Sequence, residues 1–439
     1  MKCILSCRVL VIVVLLSLLS ACSNSSASTP ADGTTSDSGS PQQEPVEIQW
    51  LVWSDDVSQE GNLIEEIELF NTSQSDVIVE LVAAPYGEFN AKLQAMIASN
   101  TAPDVISIQN ESDAVAKGWL LSLDELMARD NLDVERFVPG AHTPAYDGKY
   151  YGFRHDMAYW VLFYNKDAFD QAGVPYPPEE GWSMDEFMEI ACQFSNPAEQ
   201  TWGVYNWHWL NPYIIQSMGL PYLETGSEGP QYMLDNPEVI EVYQMIGDFI
   251  NERNCQPNAD QSQSLVGDPF TAGQTVMAFN GNWAFGKVQE DAQFAWDVAP
   301  VPGGKNGVFG MKIGIAQNSD APDAAWTFLK WLTYEPEATR YRAERGMGQP
   351  AINDDEAWEI YLNGPTTPAG LQSVIDIMSD AANTIPEPDA PGKTQADGVL
   401  SPAIDEVWNG TGTAQEVMPS AVEKANEILS EEWAKINEQ

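Results

Sequence analysis

The stretch Phe270 to Phe285, FTAGQTVMAFNGNWAF, constrains this chain more than any other. Phe270-Thr271-Ala272-Gly273 has the form of a helix end with Gly at the C′ position, where glycine takes a left-handed φ without steric cost. Thr275-Val276-Met277-Ala278-Phe279 is apolar and uncharged, as in a strand buried on both faces. Asn280-Gly281-Asn282-Trp283 then reads as a turn that carries one large aromatic off the strand end. Ligands of open α/β sheets bind just beyond the carboxyl ends of strands. Trp283 is therefore either a flat surface for a ligand or a core residue beside a tight turn.

The N-terminus sets the compartment. Residues 1–21 carry Lys2 and Arg8, no acidic residue, and an apolar run from Val9 to Leu19. That run is too short to span a bilayer and fits the apolar region of a signal peptide. It ends Leu19-Ser20-Ala21-Cys22, which resembles the bacterial lipobox, in which the Cys is acylated and becomes the mature N-terminus. Residues 22–46 are Ser, Thr, Gly, Asp, Pro and Gln with almost nothing apolar, a flexible tether. The expectation is a globular body held near a membrane by lipid alone, since no other segment is apolar enough to span one. Cys3 and Cys7 leave with the signal, so only Cys192 and Cys255 remain in the body. They could pair outside the cytosol or stay as two buried thiols.

The formal charge is −45, and loss of Lys2 and Arg8 takes it to −47. Such a surface argues against nucleic acid and anionic lipid as partners. The body after the tether exceeds one typical core, so two domains are expected. Along it, Val46 to Trp53 is a strand. Leu63, Ile67 and Phe70 mark a helix, Val77 to Val82 a second strand, and Phe89, Leu93, Met96 and Ile97 a second helix. Pro103 to Ile108 is a third strand, completing a parallel βα pattern. Ser183 with Glu186 forms a capping box, and Asn236-Pro237 starts a helix with Val239, Val242, Tyr243 and Ile246 inward. Ala325, Phe328, Leu329 and Leu332 lie on one helix face, as do Val422, Ala425, Ile428 and Leu429. Thr384 to Gly398, rich in Pro, Asp and Gly, reads as a long loop.

The order of motifs resembles the extracellular solute-binding proteins of ABC importers, in particular the large sugar-binding family that includes maltose-binding protein. The motifs are Ala102-Pro103-Asp104-Val105, Tyr146-Asp147-Gly148-Lys149-Tyr150-Tyr151-Gly152, and Tyr164-Asn165-Lys166-Asp167. After them come Gly181-Trp182-Ser183-Met184, the opening stretch from Gly273 to Trp283, Val298-Ala299-Pro300-Val301-Pro302-Gly303, and Gly348-Gln349-Pro350-Ala351. The resemblance implies an α/β, two-lobed periplasmic-binding-protein-like fold (type II), each lobe a mixed sheet flanked by helices. Lobe 1 would be about 46–155 and 312–362, and lobe 2 about 156–311 and 363–439. The lobes would close by a hinge over a ligand in the cleft. The implied function is a monomeric, extracytoplasmic receptor that binds a carbohydrate and hands it to permease subunits, without cofactor, metal or catalysis.

A sugar site needs flat rings for the C–H faces of pyranoses and fixed polar groups for the hydroxyls. By resemblance, Trp283 is the stacking aromatic. Trp207 or Trp209 contacts sugar from the same lobe, since three large rings in Trp207-His208-Trp209 cannot all face one core; His208 has a weaker claim. Asp55, after the first strand, and Glu111, after the third, supply carboxylates, and Trp160 and Asn282 lie near further contacts. The chain departs from maltose-binding protein at Ile108, Ser112 and Ala158, where that protein has a Trp, a basic residue and a Glu, which argues against maltodextrin as the ligand. Asp104, at a strand start, suits a structural turn. Among rivals, a glycoside hydrolase would need a defined carboxylate pair, and the sequence singles out none. His142, His155 and His208 stand in no nucleophile or metal motif. A phosphate ligand would want cations that the candidate loops lack, whereas an amine would also suit aromatic walls with carboxylates.

Overall fold

The computed structural model describes residues 44–54 and 57–438. The signal segment, Cys22, nearly all of the tether and Asp55 lie outside the described residues.

Two mixed sheets organise the body. The first holds β1 (Val46–Trp53), β2 (Val77–Ala84), β3 (Val105–Ile108), β4 (Gly152–Arg154) and β12 (Lys312–Ile315), in the order β2-β1-β3-β12-β4. β1 runs parallel to β2 and β3, while β12 lies antiparallel to β3 and β4. The connecting helices are Val57–Ser73, which buries Leu63, Ile67 and Phe70, and Tyr86–Ala98, which buries Phe89 and Leu93. These are the expected βα units.

The second sheet runs β13 (Thr384–Pro386), β11 (Asn306–Phe309), β5 (Ala158–Asn165), β9 (Thr275–Gly281), β6 (Trp202–Tyr205), with β10 (Trp296–Ala299) also on β5. A hairpin of β7 (Leu223–Gly226) and β8 (Gly229–Tyr232) stands apart. β9 is the expected buried strand, with Thr275, Met277, Ala278 and Phe279 enclosed. The segment before it is a run of turns rather than a helix end. Asp268 accepts the Thr271 N–H at 2.8 Å and Pro269 the N–H groups of Gln274 and Thr275, so the backbone is satisfied without a helix. Gly273 still takes the left-handed φ, at 73°.

The caps follow expectation. Ser183 and Glu186 form the reciprocal box, and Asn236 accepts the Glu238 N–H at the head of Pro237–Asn251. The helices Pro322–Tyr334 and Ala414–Asn437 bury the faces read from their periodicity, with Ile428 only half-buried. The span Thr384 to Gly398 does not stay a loop: it forms β13 and then enters the helix Lys393–Trp408. Pro402 inside that helix costs about 3 kcal/mol and Gly398 about 1. Ala396, Leu400, Ile404 and Val407 form a continuous buried stripe. The three larger side chains return about 1.5–3 kcal/mol each on burial, so packing overrides propensity. Cys192 and Cys255 are joined in a disulfide across 63 residues, a closure that contributes about 4 kcal/mol through the unfolded chain.

The two sheets are connected where β4 passes into β5, through His155-Asp156-Met157, and where β11 passes into β12, through Gly310-Met311. Both links are held by one polar knot. Glu66, with no exposed surface, accepts from Arg342 and lies 2.9 Å from His155 Nε2. Asp156 lies 3.4 Å from His155 Nδ1 and accepts the Met311 N–H at 3.3 Å. Gly310, at φ 141°, has no room for a Cβ, which would fall 2.1 Å from the Asp156 carbonyl oxygen.

Burial opposes charge on Glu66, but His155 and Arg342 outweigh it and hold its pKa below the usual range. Burial and Arg342 oppose a proton on His155, but Glu66 and Asp156 outweigh them and raise its pKa. The lowered Glu66 stabilises above about pH 4.3 and loses that contribution as pH falls; the raised His155 stabilises below about pH 6.5 and loses its contribution as pH rises through the folded-state value. The knot therefore contributes most between these limits. A Tm series from pH 4 to 9 is expected to fall on the alkaline side in the wild type, and His155→Gln should flatten that limb. An unchanged limb would remove His155 from the titration. Glu66→Gln should cost about 3–5 kcal/mol, as for one partner of a buried ion pair.

Candidate functional site

The register of the sheets fixes which ends meet. Lys312 pairs with both Ile108 and Arg154, so the end of β3, the end of β4 and the start of β12 lie on one edge. Val308 pairs with Tyr159 and Trp160 with Gly281, so the start of β5 and the ends of β9 and β11 lie on one edge of the second sheet. The links at 155–157 and 310–311 join these two edges and set them face to face. Ligands of open α/β sheets gather at such edges.

A cavity of about 840 Å³ lies here, lined by Ile108, Glu111, Arg154 and Lys312 from one side and by Val308, Glu387 and Asp389 from the other. Glu111, first residue of the helix Glu111–Ala116, is 9% exposed. Lys312 Nζ donates to Glu111 Oε2 at 2.5 Å and to the Thr143 carbonyl and hydroxyl oxygens at 3.3 and 3.2 Å. Burial raises the Glu111 pKa and lowers that of Lys312, and each partner's charge resists the shift in the other. Glu111 Oε1 has no hydrogen-bond partner among the described residues. A buried carboxylate oxygen of this kind calls for a donor from water or ligand.

The cations lining the cavity among the described residues, Lys312 and Arg154, are both engaged. Arg154 donates to the carbonyl oxygens of Gly140 and Gly310 at 3.2 and 2.6 Å and lies 3.9 Å from Glu387. Enclosure between the cleft walls raises the pKa of Glu387, and likewise that of Asp389.

An aromatic cluster lies across β11 from the cavity, and its rings are not among the residues that line it. Trp283 and Trp160 meet edge to face with centroids 5.6 Å apart, and Phe309 lies 5.7 and 5.5 Å from them. Tyr213 stacks on Phe309 at 16°. Val308 and Gly310 line the cavity, so Phe309, between them, points to the opposite face of its strand. Gly281 makes this cluster possible: a Cβ there would fall 1.8 Å from the Trp283 ring. The ring lies back over its own strand, 36% exposed.

The structure thus brings together Trp283 and Trp160 in the aromatic cluster and sets Glu111 in the cavity. It places the other expected residues elsewhere. Trp207 is fully buried against Phe187 and Phe249, because its ring fills the core between helices Met184–Phe194 and Pro237–Asn251. Asn282 is fully buried too; its amide holds the Met157 carbonyl and Tyr361 hydroxyl and accepts the Tyr159 N–H, so its polar atoms serve the fold. His208 bonds Gln256 at 2.6 Å and abuts Trp408, and burial lowers its pKa to about 4. Trp209 is exposed beside His208. Asp104 accepts from the Gln49 N–H and the Ser319 hydroxyl, a structural tie.

Lys312, Arg154, Glu387, Asp389, Tyr213 and Phe309 escaped the sequence reading. Lys312 carried a legible signal, a lone cation heading the apolar strand KIGI. Glu387 and Asp389 did not stand out among 65 acidic residues. Among the described residues no cluster of three or more His, Cys, Asp or Glu could hold a metal ion, and no helix is long and apolar enough to cross a membrane.

Residues 56–338 match the family model described as bacterial extracellular solute-binding protein. A putative binding protein of Brucella abortus is 24% identical over 392 residues, which cover 84% of this chain and 90% of the relative. The maltotriose-binding protein of Pyrococcus abyssi is 29% identical over 283 residues, 60% of this chain and 58% of that protein. Among solved structures, an ABC substrate-binding protein from Listeria monocytogenes in complex with cycloalternan superposes with a TM-score of 0.77 at 23% identity, covering 87% of this chain and 98% of that one. With its two facing α/β lobes and the cleft between them, the chain belongs to the bacterial extracellular solute-binding proteins.

Proposed function

We propose that this protein binds a neutral, hydroxyl-rich solute, an oligosaccharide, between its lobes and delivers it to an ABC permease. It does so as a monomer anchored at the membrane through acylated Cys22. The observation that carries the reading is Glu111, whose Oε2 is fixed by Lys312 while the buried Oε1 has no partner among the described residues. Sugar hydroxyls donate to such an oxygen without bringing charge into a buried site. Trp283, 36% exposed and packed against Trp160 and Phe309, offers an apolar face of the kind a pyranose ring needs. The engagement of both cavity cations disfavours a phosphate, which would have to displace existing partners. The similarity to a maltotriose-binding protein and to a receptor solved with a cyclic oligosaccharide supports the same class. The lobes would comprise about 46–155 with 312–362 and 156–311 with 363–439, moving about the links described above.

A second reading has one observation in its favour. Desolvation raises the pKa values of Glu387 and Asp389, so a cationic amine would meet two carboxylates whose charge it would help to stabilise. Amine affinity would then fall as pH drops and these groups protonate.

A thermal-shift panel separates these readings. At 100 times its dissociation constant a ligand adds about 2.7 kcal/mol of stability. A shift is expected with at least one neutral sugar among maltotriose, mannotriose and tagatose, and none with sn-glycerol 3-phosphate. A shift with spermidine alone would overturn the sugar reading. For the responding sugar, Trp283→Ala should weaken binding by about 1–3 kcal/mol while the protein stays folded by circular dichroism. Unfolding instead would make Trp283 a core residue.

A further inference from the structure

Across the cleft, each lobe places a carboxylate at the start of a helix of the other. Asp113, in the helix Glu111–Ala116 of the first lobe, accepts the N–H groups of Gly392 at 2.5 Å and Thr394 at 2.9 Å. These open the helix Lys393–Trp408, whose buried stripe belongs to the core of the second lobe. In return Asp389, on the loop before that helix, accepts the Ser112 N–H at 3.3 and 3.2 Å and the Ser112 hydroxyl at 2.8 Å. Asp113 is 3% exposed, and Lys117 of its own helix lies 3.8 Å away. Orphan N–H groups at helix starts favour carboxylates, and charge-assisted bonds of this kind are the stronger ones.

We propose that Ser112 and Asp113, with Asp389, form a latch that holds the lobes closed and sets how long a solute stays in the cleft. They are positioning residues. Glu111 immediately precedes them on one side and Asp389 faces the cavity from the other. A solute seated on these two groups therefore presses together the segments that carry the latch, and it leaves only after the latch opens. The contact is made by a short helix on one side and by the first turn of helix Lys393–Trp408 with its preceding loop on the other. The residence-time part rests on the solute-binding reading of the cleft; the closure part does not.

The test uses the full chain without ligand, then with maltotriose as the probe. In ligand-free Asp113→Ala, amide exchange at Gly392 and Thr394 should quicken about tenfold or more, the loss of one strong bond, and the radius of gyration from X-ray scattering should rise. Faster exchange with an unchanged radius would reduce Asp113 to a local cap and overturn the latch, as would no change in either. Asp389→Ala removes the reciprocal contact from a loop. It should also raise the radius, and it decides the matter if Asp113→Ala fails to fold. Maltotriose dissociation, followed by tryptophan fluorescence, should quicken about tenfold in the variant with the association rate unchanged. If wild type does not bind maltotriose, that sugar is excluded as solute while scattering still decides the latch; if it binds and its dissociation is unchanged, the residence-time claim fails.

Discussion

A carboxylate with no exposed surface, Glu66, ties helix Val57–Ser73 to Arg342 and to His155 in the first link between the lobes. Through Asp156 the same knot reaches the backbone of the second link at Met311. A buried charge is costly unless fully paired, so the knot is an all-or-nothing arrangement. It sets the path of both links where a looser joint would leave the two sheet edges unaligned. Everything in the cleft depends on that alignment, because Lys312 and Arg154 belong to one sheet edge and Val308, Phe309 and Glu387 to the other.

The cleft uses the same device for a different end. In the knot every carboxylate is paired with cations. In the cavity, Lys312 satisfies one oxygen of Glu111 and the other has no partner among the described residues. The polar group is thus pre-oriented without being consumed, which reduces the ordering cost a ligand must meet. The aromatic cluster is pre-formed in the same sense. Gly281 lets Trp283 lie over its own strand, and Trp160 and Phe309 hold the ring from the sides.

Much of this architecture was legible in the residues. Periodicity found the first three strands and their helices, the capping box at Ser183 and the buried stripes at Phe328 and Val422, because in each case local pattern and final packing agree. It failed over Lys393 to Gly398, read as part of a long loop, where the stripe from Ala396 to Val407 makes the segment helical despite Gly398 and Pro402. Glu111, Trp283 and Trp160 came from motif order; Glu111 lines the cavity, while Trp283 and Trp160 pack with Phe309 outside its lining. Trp207 and Asn282 turn inward, since chain position does not say which way a residue at the head of a 3₁₀ turn faces. Lys312, Arg154, Glu387 and Asp389 lie far apart in sequence and become a cluster only through the register of β12 with β3 and β4 and the pairing of β13 with β11. Asp55 falls outside the described residues, and its role stays a proposal.

The central claim is that a neutral solute uses Glu111 Oε1 while Lys312 holds Oε2. Its most direct test is a crystal structure of the complex with whichever sugar the thermal panel identifies. The account predicts a ligand hydroxyl within about 3 Å of Glu111 Oε1, with Lys312 still on Oε2 and a pyranose face against Trp283 or Trp160. A ligand that leaves Glu111 Oε1 untouched, or that displaces Lys312 to pair with an anionic group, would contradict it.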